Sequence, residues 1–345
     1  MRFMSVEDIE PGQLLGRTVY SANGTVLLSA GVQLTVYMIS TLKRIGVTML
    51  YIKDADFEDV EIEDVISEAT KQVVFREMSE TLESIRSGKD WSTRKISASV
   101  DTLLTDVLNN KEVLLQLTEI RTADNADYIH AVNVCLLSSM IGLNMGLNYS
   151  QLKDLAIGSL LHDIGKSISL PEEADKNDPK NDHTWRGFEL LKQKREFNLL
   201  IAHTALQHHE RLNGSGFPRG LDHEAIHLFA KIVAVANMYD NLIGGGGSND
   251  RRAMLPHEAC EKLMASSEQE LDHEVLVEFT RIVSVYPTGT SVRLSTKETG
   301  VVVSQHRGLP GRPVVRVIRG AGEDIDVKEV DLARETTLFI EAVLA

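Results

Sequence analysis

The spacing of apolar and polar residues predicts a mainly helical protein with a little β-structure at both ends. Between residues 119 and 285, apolar positions recur at intervals of three and four, as in helices that bury one face. Before residue 56, short runs on either side of Ala22–Gly24 predict two strands, and the helical run that follows stops at Gly46. After residue 286, apolar and polar residues alternate between turn signals, which predicts a small antiparallel β unit.

These changes of pattern divide the chain into four predicted parts. They are a small α+β module at 1–55, a helical connector at 56–118, an all-helical domain at 119–285 and a β-rich unit at 286–345. The connector is acidic, and its composition favours a solvated linker or a helical pair that joins two chains as a homodimer. A glycine run, Gly244–Gly247, interrupts the helical domain and predicts a loop.

Composition narrows the class of protein. The chain has 345 residues, of which 43% are hydrophobic and 25% charged, and this suits a globular protein with more than one domain. A net charge of −14 argues against binding to a nucleic-acid polymer, and it requires local cations or metals wherever a small phosphate ligand binds. No apolar run is long enough to predict a membrane span. Cys135 and Cys260 lie in apolar helical patterns, which predicts buried, reduced thiols in a cytoplasmic protein.

The candidate chemistry lies in histidines of the helical domain. His162 and Asp163 stand at the polar end of an apolar helix, and Lys166 projects from the same side. A charged aspartate is rarely buried without a partner, so this stretch is either a metal site or a plain capped helix end. His208 and His209 follow another apolar run, and two such neighbours can converge on one pocket.

Further histidines add to this pattern. His183 opens a predicted helix and is free to turn inward, whereas His130 shares its helix with core positions and alone would be a core histidine. His203 points away from His208 and His209, and we interpret it as a core or surface residue.

Five imidazoles and one carboxylate exceed the ordinary coordination of a single metal. Two ions fit the set if Asp163 bridges them, and nitrogen-rich ligands suit a transition metal such as iron, manganese or zinc. A hydroxide between two such metals is a common device for hydrolysing phosphoesters. The set consists of His130, His162, Asp163, His183, His208 and His209.

Three motifs together resemble the HD-GYP family of the HD phosphohydrolases. They are HDIGK at His162–Lys166, the pair His183 and Gly187, and HHERLNGSGFPRG at His208–Gly220. Members of this family are bacterial phosphodiesterases that hydrolyse cyclic di-GMP to linear pGpG and often on to GMP. The resemblance covers roughly residues 120–285 and implies an HD-type helical bundle with a dinuclear metal site.

The resemblance also implies a role for individual residues. It implies that His130 and His162 bind one metal, that Asp163 bridges, and that His183, His208 and His209 bind the second. Lys166 is then expected to contact the scissile phosphate, and it is the catalytic candidate together with Asp163. Glycines permit a close approach of backbone to ligand, which suits a loop that covers the substrate. The expected substrate-binding residues are Lys166, Arg211, Gly214, Gly216, Phe217, Pro218 and Arg251.

The sequence departs from the family pattern at four places. Phe217 replaces the signature tyrosine but keeps an aromatic face on which a base can stack. Asn237 replaces an aspartate ligand; its amide oxygen can coordinate but brings no charge, so we predict weaker occupancy of the first metal. We do not expect Asp240, one helical turn later, to substitute for it. Ala126 replaces an acid found in some members, which argues against a third metal.

The fourth departure concerns the phosphate clamp, and together the four departures leave three functions open. The family segment that clamps substrate phosphate is replaced by the glycine run and by Arg251 and Arg252. A working cyclic di-GMP phosphodiesterase is the first interpretation. The second is a degenerate receptor or scaffold that binds cyclic di-GMP or a signalling protein such as a diguanylate cyclase. The third is an HD hydrolase that acts on another nucleotide.

Overall fold

The computed structural model describes most of the chain and divides it into two compact units. The described residues are 1–21, 25–117, 121–122, 125–170, 173, 175, 178–245, 253–319 and 326–344. The first unit comprises Met1–Asp64, Glu112–Ala126 and Arg281–Ala345. The second unit comprises Val65–Lys111 and Asp127–Thr280.

The first unit combines a small α+β layer with an antiparallel sheet. Its elements are β1 (Arg2–Ser5), β2 (Leu14–Leu15), β3 (Val19–Tyr20), β4 (Val26–Leu28), α1 (Val36–Arg44), β5 (Met49–Lys53), β6 (Ser291–Leu294), β7 (Thr299–Ser304), β8 (Val314–Arg319), β9 (Asp326–Asp331) and β10 (Ile340–Leu344). One sheet has the order β1-β5-β2, a second has the order β10-β6-β7-β8-β9, and β3 pairs with β4. The β-structure predicted at both ends is therefore confirmed.

The helix predicted near the N-terminus has the expected start and stop. The Thr35 side chain accepts a hydrogen bond from the backbone nitrogen of Met38 and caps α1. Gly46 follows the helix with a φ of +92°, a conformation that favours glycine. Leu42 of α1 packs with Leu15 and Leu50 in the core of this layer. The predicted turn Ala22–Gly24 lies outside the described residues.

The second unit is helical throughout its described regular structure. Its helices are α2 (Glu68–Arg86), α3 (Thr93–Asn109), α4 (Ala126–Asn144), α5 (Tyr149–Leu160), α6 (His183–Lys192), α7 (Leu199–Gln207), α8 (Leu228–Ile243), α9 (Pro256–Ala265) and α10 (His273–Ile282). These helices confirm the predicted mainly α fold.

The apolar helix α4 lies in the core of the second unit. Among the described helices it alone is long and apolar enough to cross a membrane, and 83% of its apolar stretch is buried inside the protein. A helix that is apolar all round is typical of a buried core element. Cys135 of α4 and Cys260 of α9 are both buried and unpaired, and burial raises the pKa of each thiol to about 12.

Helices α2 and α3 are part of the second unit, although the sequence favoured a solvated connector. Val74, Met78 and Leu82 are buried along α2, and α2 packs against α3. The acidic residues that suggested a linker occupy the outer faces of an otherwise packed pair. Residues 56–64 and 112–118 fall in the first unit and 65–111 in the second. The four-part division at residues 55, 118 and 285 stays a prediction.

Candidate metal centre

Asp163 lies between two pairs of imidazole rings. It follows α5 directly, in the turn that leads into a short 3₁₀ helix at Ile164–Ser167. Its Oδ2 lies 3.6 Å from Nε2 of His130 and 3.4 Å from Nε2 of His162. Its Oδ1 lies 3.2 Å from Nε2 of His183 and 3.5 Å from Nε2 of His208. Each oxygen of one carboxylate therefore faces a different pair of rings.

The six residues predicted as metal ligands on the histidine and carboxylate pattern come together, and we call them the histidine cluster. Their candidate ligand atoms form two groups, each within 4.8 Å: His130, His162 and Asp163 in one, and Asp163, His183, His208 and His209 in the other. Asp163 belongs to both groups. His203 belongs to neither and packs against the ring of Phe188, with centroids 5.2 Å apart.

Backbone carbonyls orient two of the rings. Nδ1 of His162 lies 2.7 Å from the carbonyl oxygen of Ser159, and Nδ1 of His208 lies 2.8 Å from that of Ala205. A carbonyl only accepts hydrogen bonds, so each Nδ1 carries the proton. The Nε2 lone pair of each ring is then directed toward Asp163. This tautomer, with the proton on Nδ1 and Nε2 free, is the one that a metal ligand needs.

A buried carboxylate orients His130 in the same way. Nδ1 of His130 lies 2.6 Å from Oδ2 of Asp240, and Asn133 donates to Oδ1 of Asp240 at 2.8 Å. Asp240 is fully buried on α8. This role of Asp240 was not predicted from the sequence, where the residue is only an unfavoured alternative to Asn237. A charged residue on a largely apolar helix was the available signal, because such a group requires a partner.

Asn237 is buried on the same helix and is engaged with a neighbour. Its Oδ1 accepts a hydrogen bond of 2.7 Å from Nδ2 of Asn241, one turn further along α8. Coordination of a metal by Asn237 stays a prediction.

The electrostatics of the histidine cluster favour ligand-ready protonation states. Burial lowers the pKa of His162, and it lowers that of His208 to about 4. Burial, together with the neighbouring His208 and His183, also lowers the pKa of His209. For Asp163, burial raises the pKa, but the neighbouring rings of His162, His183 and His208 hold it well below its ordinary value. Neutral imidazoles and an ionised carboxylate are the forms that bind metals.

Three buried polar atoms in the histidine cluster have no hydrogen-bond partner among the described residues. They are Oδ1 of Asp163, Nε2 of His183 and Nε2 of His208. Buried acceptors left without a donor are destabilising. Since these atoms converge, a divalent cation would satisfy all three together, and the nitrogen-rich donor set suits a transition metal. The residues present therefore fit the predicted metals.

A close contact between backbones brings α6 to the cluster. A Cβ atom added at Gly165 would lie 1.9 Å from the carbonyl oxygen of His183 and 2.6 Å from the nitrogen of Gly187. Only glycine permits this approach between the 3₁₀ turn and the first turn of α6. The glycine of HDIGK thus positions His183 beside Asp163.

The loop after His209 is held by a buried glutamate. Glu210 is 2% exposed, and its two carboxylate oxygens accept 2.9 Å hydrogen bonds from the backbone nitrogens of Arg219 and Leu221. A Cβ atom at Gly216 would lie 2.4 Å from the nitrogen of Arg211, so this position also requires glycine. Gly214 has a φ of +74°. Glu210 was not predicted from the sequence, although it directly follows the candidate ligands His208 and His209.

The predicted substrate-binding residues have different environments. Phe217, followed by Pro218, stacks on His209 with ring centroids 4.5 Å apart, and it is 44% exposed. Lys166 is half exposed and pairs with Oδ2 of Asp163. Nε of Arg211 lies 3.8 Å from Glu270, and the side chain also donates to the carbonyl of Glu210. Arg251 and the second half of the glycine run, Gly246 and Gly247, lie outside the described residues.

Two family models match the chain. The model of the HD domain matches residues 102–275, and that of a KOW domain associated with HD domains matches residues 291–345. The first match contains the histidine cluster and the second matches the strands β6 to β10.

The chain is also similar to curated bacterial phosphodiesterases. A cyclic di-GMP phosphodiesterase of Pseudomonas aeruginosa is 31% identical over 262 residues, covering 72% of this chain and 62% of that protein. A cyclic di-GMP phosphodiesterase of Thermotoga maritima is 34% identical over 142 residues, with 38% of each chain covered. The 3'3'-cGAMP-specific phosphodiesterase 1 of Vibrio cholerae is 30% identical over 148 residues, covering 39% of this chain and 34% of that protein. The chain thus spans less than two thirds of the length of these relatives.

Proposed function

Since the chain belongs to the HD domain family, we propose that it is a metal-dependent phosphodiesterase that hydrolyses cyclic di-GMP. The observation that carries this proposal is the carboxylate of Asp163, whose two oxygens face separate groups of imidazoles. Relatives named as cyclic di-GMP phosphodiesterases support the substrate. Linear pGpG and GMP are the expected products.

We assign two divalent transition metals to the histidine cluster. His130, His162 and Asp163 would hold one, and Asp163, His183, His208 and His209 would hold the other, with Asn237 as a further candidate ligand of the first. We propose that both ions are iron or both are manganese, and zinc is chemically acceptable. When bound, such a pair activates a water and neutralises charge on the phosphate.

The remaining residues have roles that follow from their positions. Lys166 is half exposed, and its ammonium pairs with Asp163. The ammonium can leave this carboxylate to contact a phosphate oxygen of the substrate, and it would then stabilise the negative charge that develops there. The loop held by Glu210 carries Gly214 and Gly216, and Gly216 lies against the backbone of His209. Phe217 offers an exposed aromatic surface to a guanine base.

The experiment for this proposal combines metal analysis with hydrolysis. Protein purified without chelators should contain about two transition-metal ions per chain and should convert cyclic di-GMP to pGpG or GMP. Asp163→Asn keeps the side-chain shape but removes the charge that both groups share. We expect it to lose most of the metal and at least about a hundredfold in rate, because a bridging ligand contributes to both ions.

The control is Asp222→Asn, which changes an exposed carboxylate of the same unit. This variant should match the unsubstituted protein in metal content and rate. An unchanged hydrolysis rate in the Asp163→Asn variant would contradict the proposed site. A protein that contains its metals but neither binds nor hydrolyses cyclic di-GMP would contradict the proposed substrate.

A receptor function is the second candidate, and Asn237 is the observation that favours it. The amide replaces a charge, and its oxygen already accepts a hydrogen bond from Asn241. A receptor would bind cyclic di-GMP at equilibrium without product appearing. Under that function, a diguanylate cyclase or another signalling protein is the proposed macromolecular partner, with a homodimer as the proposed assembly.

A further inference from the structure

We infer that Arg86, in the last turn of α2, binds a phosphate group of the substrate beside the histidine cluster. This inference rests on the proposed function, which supplies a phosphate-containing substrate. Arg86 lies outside residues 102–275, the segment matched by the HD domain model. It is also absent from the substrate-binding residues predicted from the sequence.

A small cavity connects α2 to the histidine cluster. It is lined by Met78, Leu82 and Arg86 of α2 together with His130, Asp163 and Lys166. The cavity has a volume of about 70 Å³, which is room for roughly two waters. A single phosphate group fits such a space, whereas a whole nucleotide does not. The part of the substrate that enters is therefore small and anionic.

The packing of α2 fixes the position of Arg86. Met78, Leu82 and Arg86 follow one another at intervals of four and so lie on one face of the helix. Met78 and Leu82 are buried and form the apolar wall of the cavity, while Arg86 is exposed at its end. A side chain on a packed helix is held in place more firmly than one on a loop.

The charge of Arg86 is available to a ligand. Within the described part of the chain, Arg86 forms no ion pair and no side-chain hydrogen bond. Lys166, the other cation on the cavity wall, pairs with Asp163, and Arg76 of the same helix pairs with Glu77 at 3.6 Å. The remaining charged group of the wall is Asp127, which likewise forms no ion pair with Arg86.

The chemistry of the guanidinium favours a phosphate as its partner. Arginine donates two parallel hydrogen bonds to phosphate oxygens, and such charge-assisted bonds are the stronger kind. The chain carries a net charge of −14, so an approaching dinucleotide needs local cations to offset repulsion. Arg86 and Lys166 both line this cavity and supply two such cations.

The test measures binding apart from turnover. The probe is the bis-phosphorothioate analogue of cyclic di-GMP, which resists hydrolysis, titrated into protein that retains its purified metals. We expect Arg86→Gln to weaken binding by roughly tenfold, the loss typical of one hydrogen-bonded charge contact. Arg86→Lys should recover part of the affinity, because it keeps the charge but not the bidentate geometry. Metal content should stay unchanged in both variants.

Arg76→Gln is the matched control, since it removes the same charge from the same helix away from the cavity. It should bind the analogue as the unsubstituted protein does. Arg76 is largely exposed, so thermal melting should show that both glutamine variants remain folded.

A second comparison separates phosphate from base recognition. Cyclic di-GMP and 3'3'-cGAMP carry the same phosphates and differ in one base, so Arg86→Gln should weaken both by the same factor. A loss confined to one dinucleotide overturns the inference, and so does unchanged affinity for both with the metal content intact. If the unsubstituted protein binds and hydrolyses neither dinucleotide, the proposed function itself is wrong.

Discussion

Nδ1 of His130 lies 2.6 Å from Oδ2 of Asp240, in the buried interior of the second unit. This contact links α4 to α8 across 110 residues of sequence. It leaves Nε2 of His130 directed toward Asp163, at 3.6 Å. Asp240 thereby acts on the histidine cluster through His130, without being one of the predicted ligands.

Replacing Asp240 by asparagine should therefore weaken metal binding. The amide keeps the shape but no longer fixes the tautomer of His130 with a negative charge. Substitution of such supporting carboxylates typically costs about 10–100-fold in metal affinity or activity. Competition with a chelator measures the affinity, and Asp222→Asn serves as the exposed control. If the Asp240→Asn variant retains its metals as firmly as the unsubstituted protein, the assigned role is wrong.

Restoring a charge at Asn237 should have the opposite effect. Asn237→Asp adds a carboxylate where the resemblance implies a ligand of the first metal, so we expect higher metal occupancy and faster hydrolysis together. Metal analysis and product formation are measured on the same preparation. Asn109→Asp is the control, because it adds the same charge at an exposed position of the same unit.

The outcome also separates the two candidate functions. An unsubstituted protein that already equals the Asn237→Asp variant would show that the amide costs nothing. Binding of cyclic di-GMP by both proteins, with hydrolysis by neither, would favour the receptor.

Glu210 should control the loop more than the chemistry. In Glu210→Gln, one carboxylate oxygen becomes an amide nitrogen that faces a backbone N–H of Arg219 or Leu221. We expect a loss of about 1–3 kcal/mol in the free energy of unfolding, the cost of an unsatisfied buried donor. KM should rise more than kcat falls, because we expect this loop to cover the substrate. Denaturant titration and steady-state kinetics check both, with the exposed Glu224→Gln as control.

Acidity should destabilise the metal-free protein through His208. Burial lowers the pKa of His208 to about 4 from an ordinary value of 6.5. Between these pH values the unfolded chain binds a proton that the folded chain refuses, so stability rises with pH and falls as the solution is acidified. The free energy of unfolding of chelator-treated protein should therefore decline from about pH 6.5 to pH 4. His208→Gln should give a shallower decline, and parallel profiles would refute the assignment to His208.

The sequence predicts the helices and the members of the histidine cluster better than it predicts their supporting contacts. The apolar periodicity of α4 and α8 is local, and so is the HDIGK motif that carries His162 and Asp163. The contact between His130 and Asp240 depends on how two helices far apart in sequence pack. No local pattern contains that information.

The same limit explains α2. Its acidic outer face dominates the composition, so the sequence favours a solvated connector. Its apolar stripe, including Met78 and Leu82, can be recognised as buried only when the surface that it packs against is known. Arg86 becomes a candidate for substrate binding for this reason alone, since nothing in its sequence neighbourhood distinguishes it from Arg76.

Because one carboxylate belongs to both ligand groups, substitutions in the histidine cluster differ in how many of the two groups they affect. A change at His162 or at His209 strikes one half and leaves the other with its own imidazoles. A change at Asp163 removes an oxygen from each half in a single step. In a random mutant library assayed for metal content, substitutions of a single histidine should accordingly yield proteins that retain one metal ion per chain. Substitutions of Asp163 should yield none of that kind.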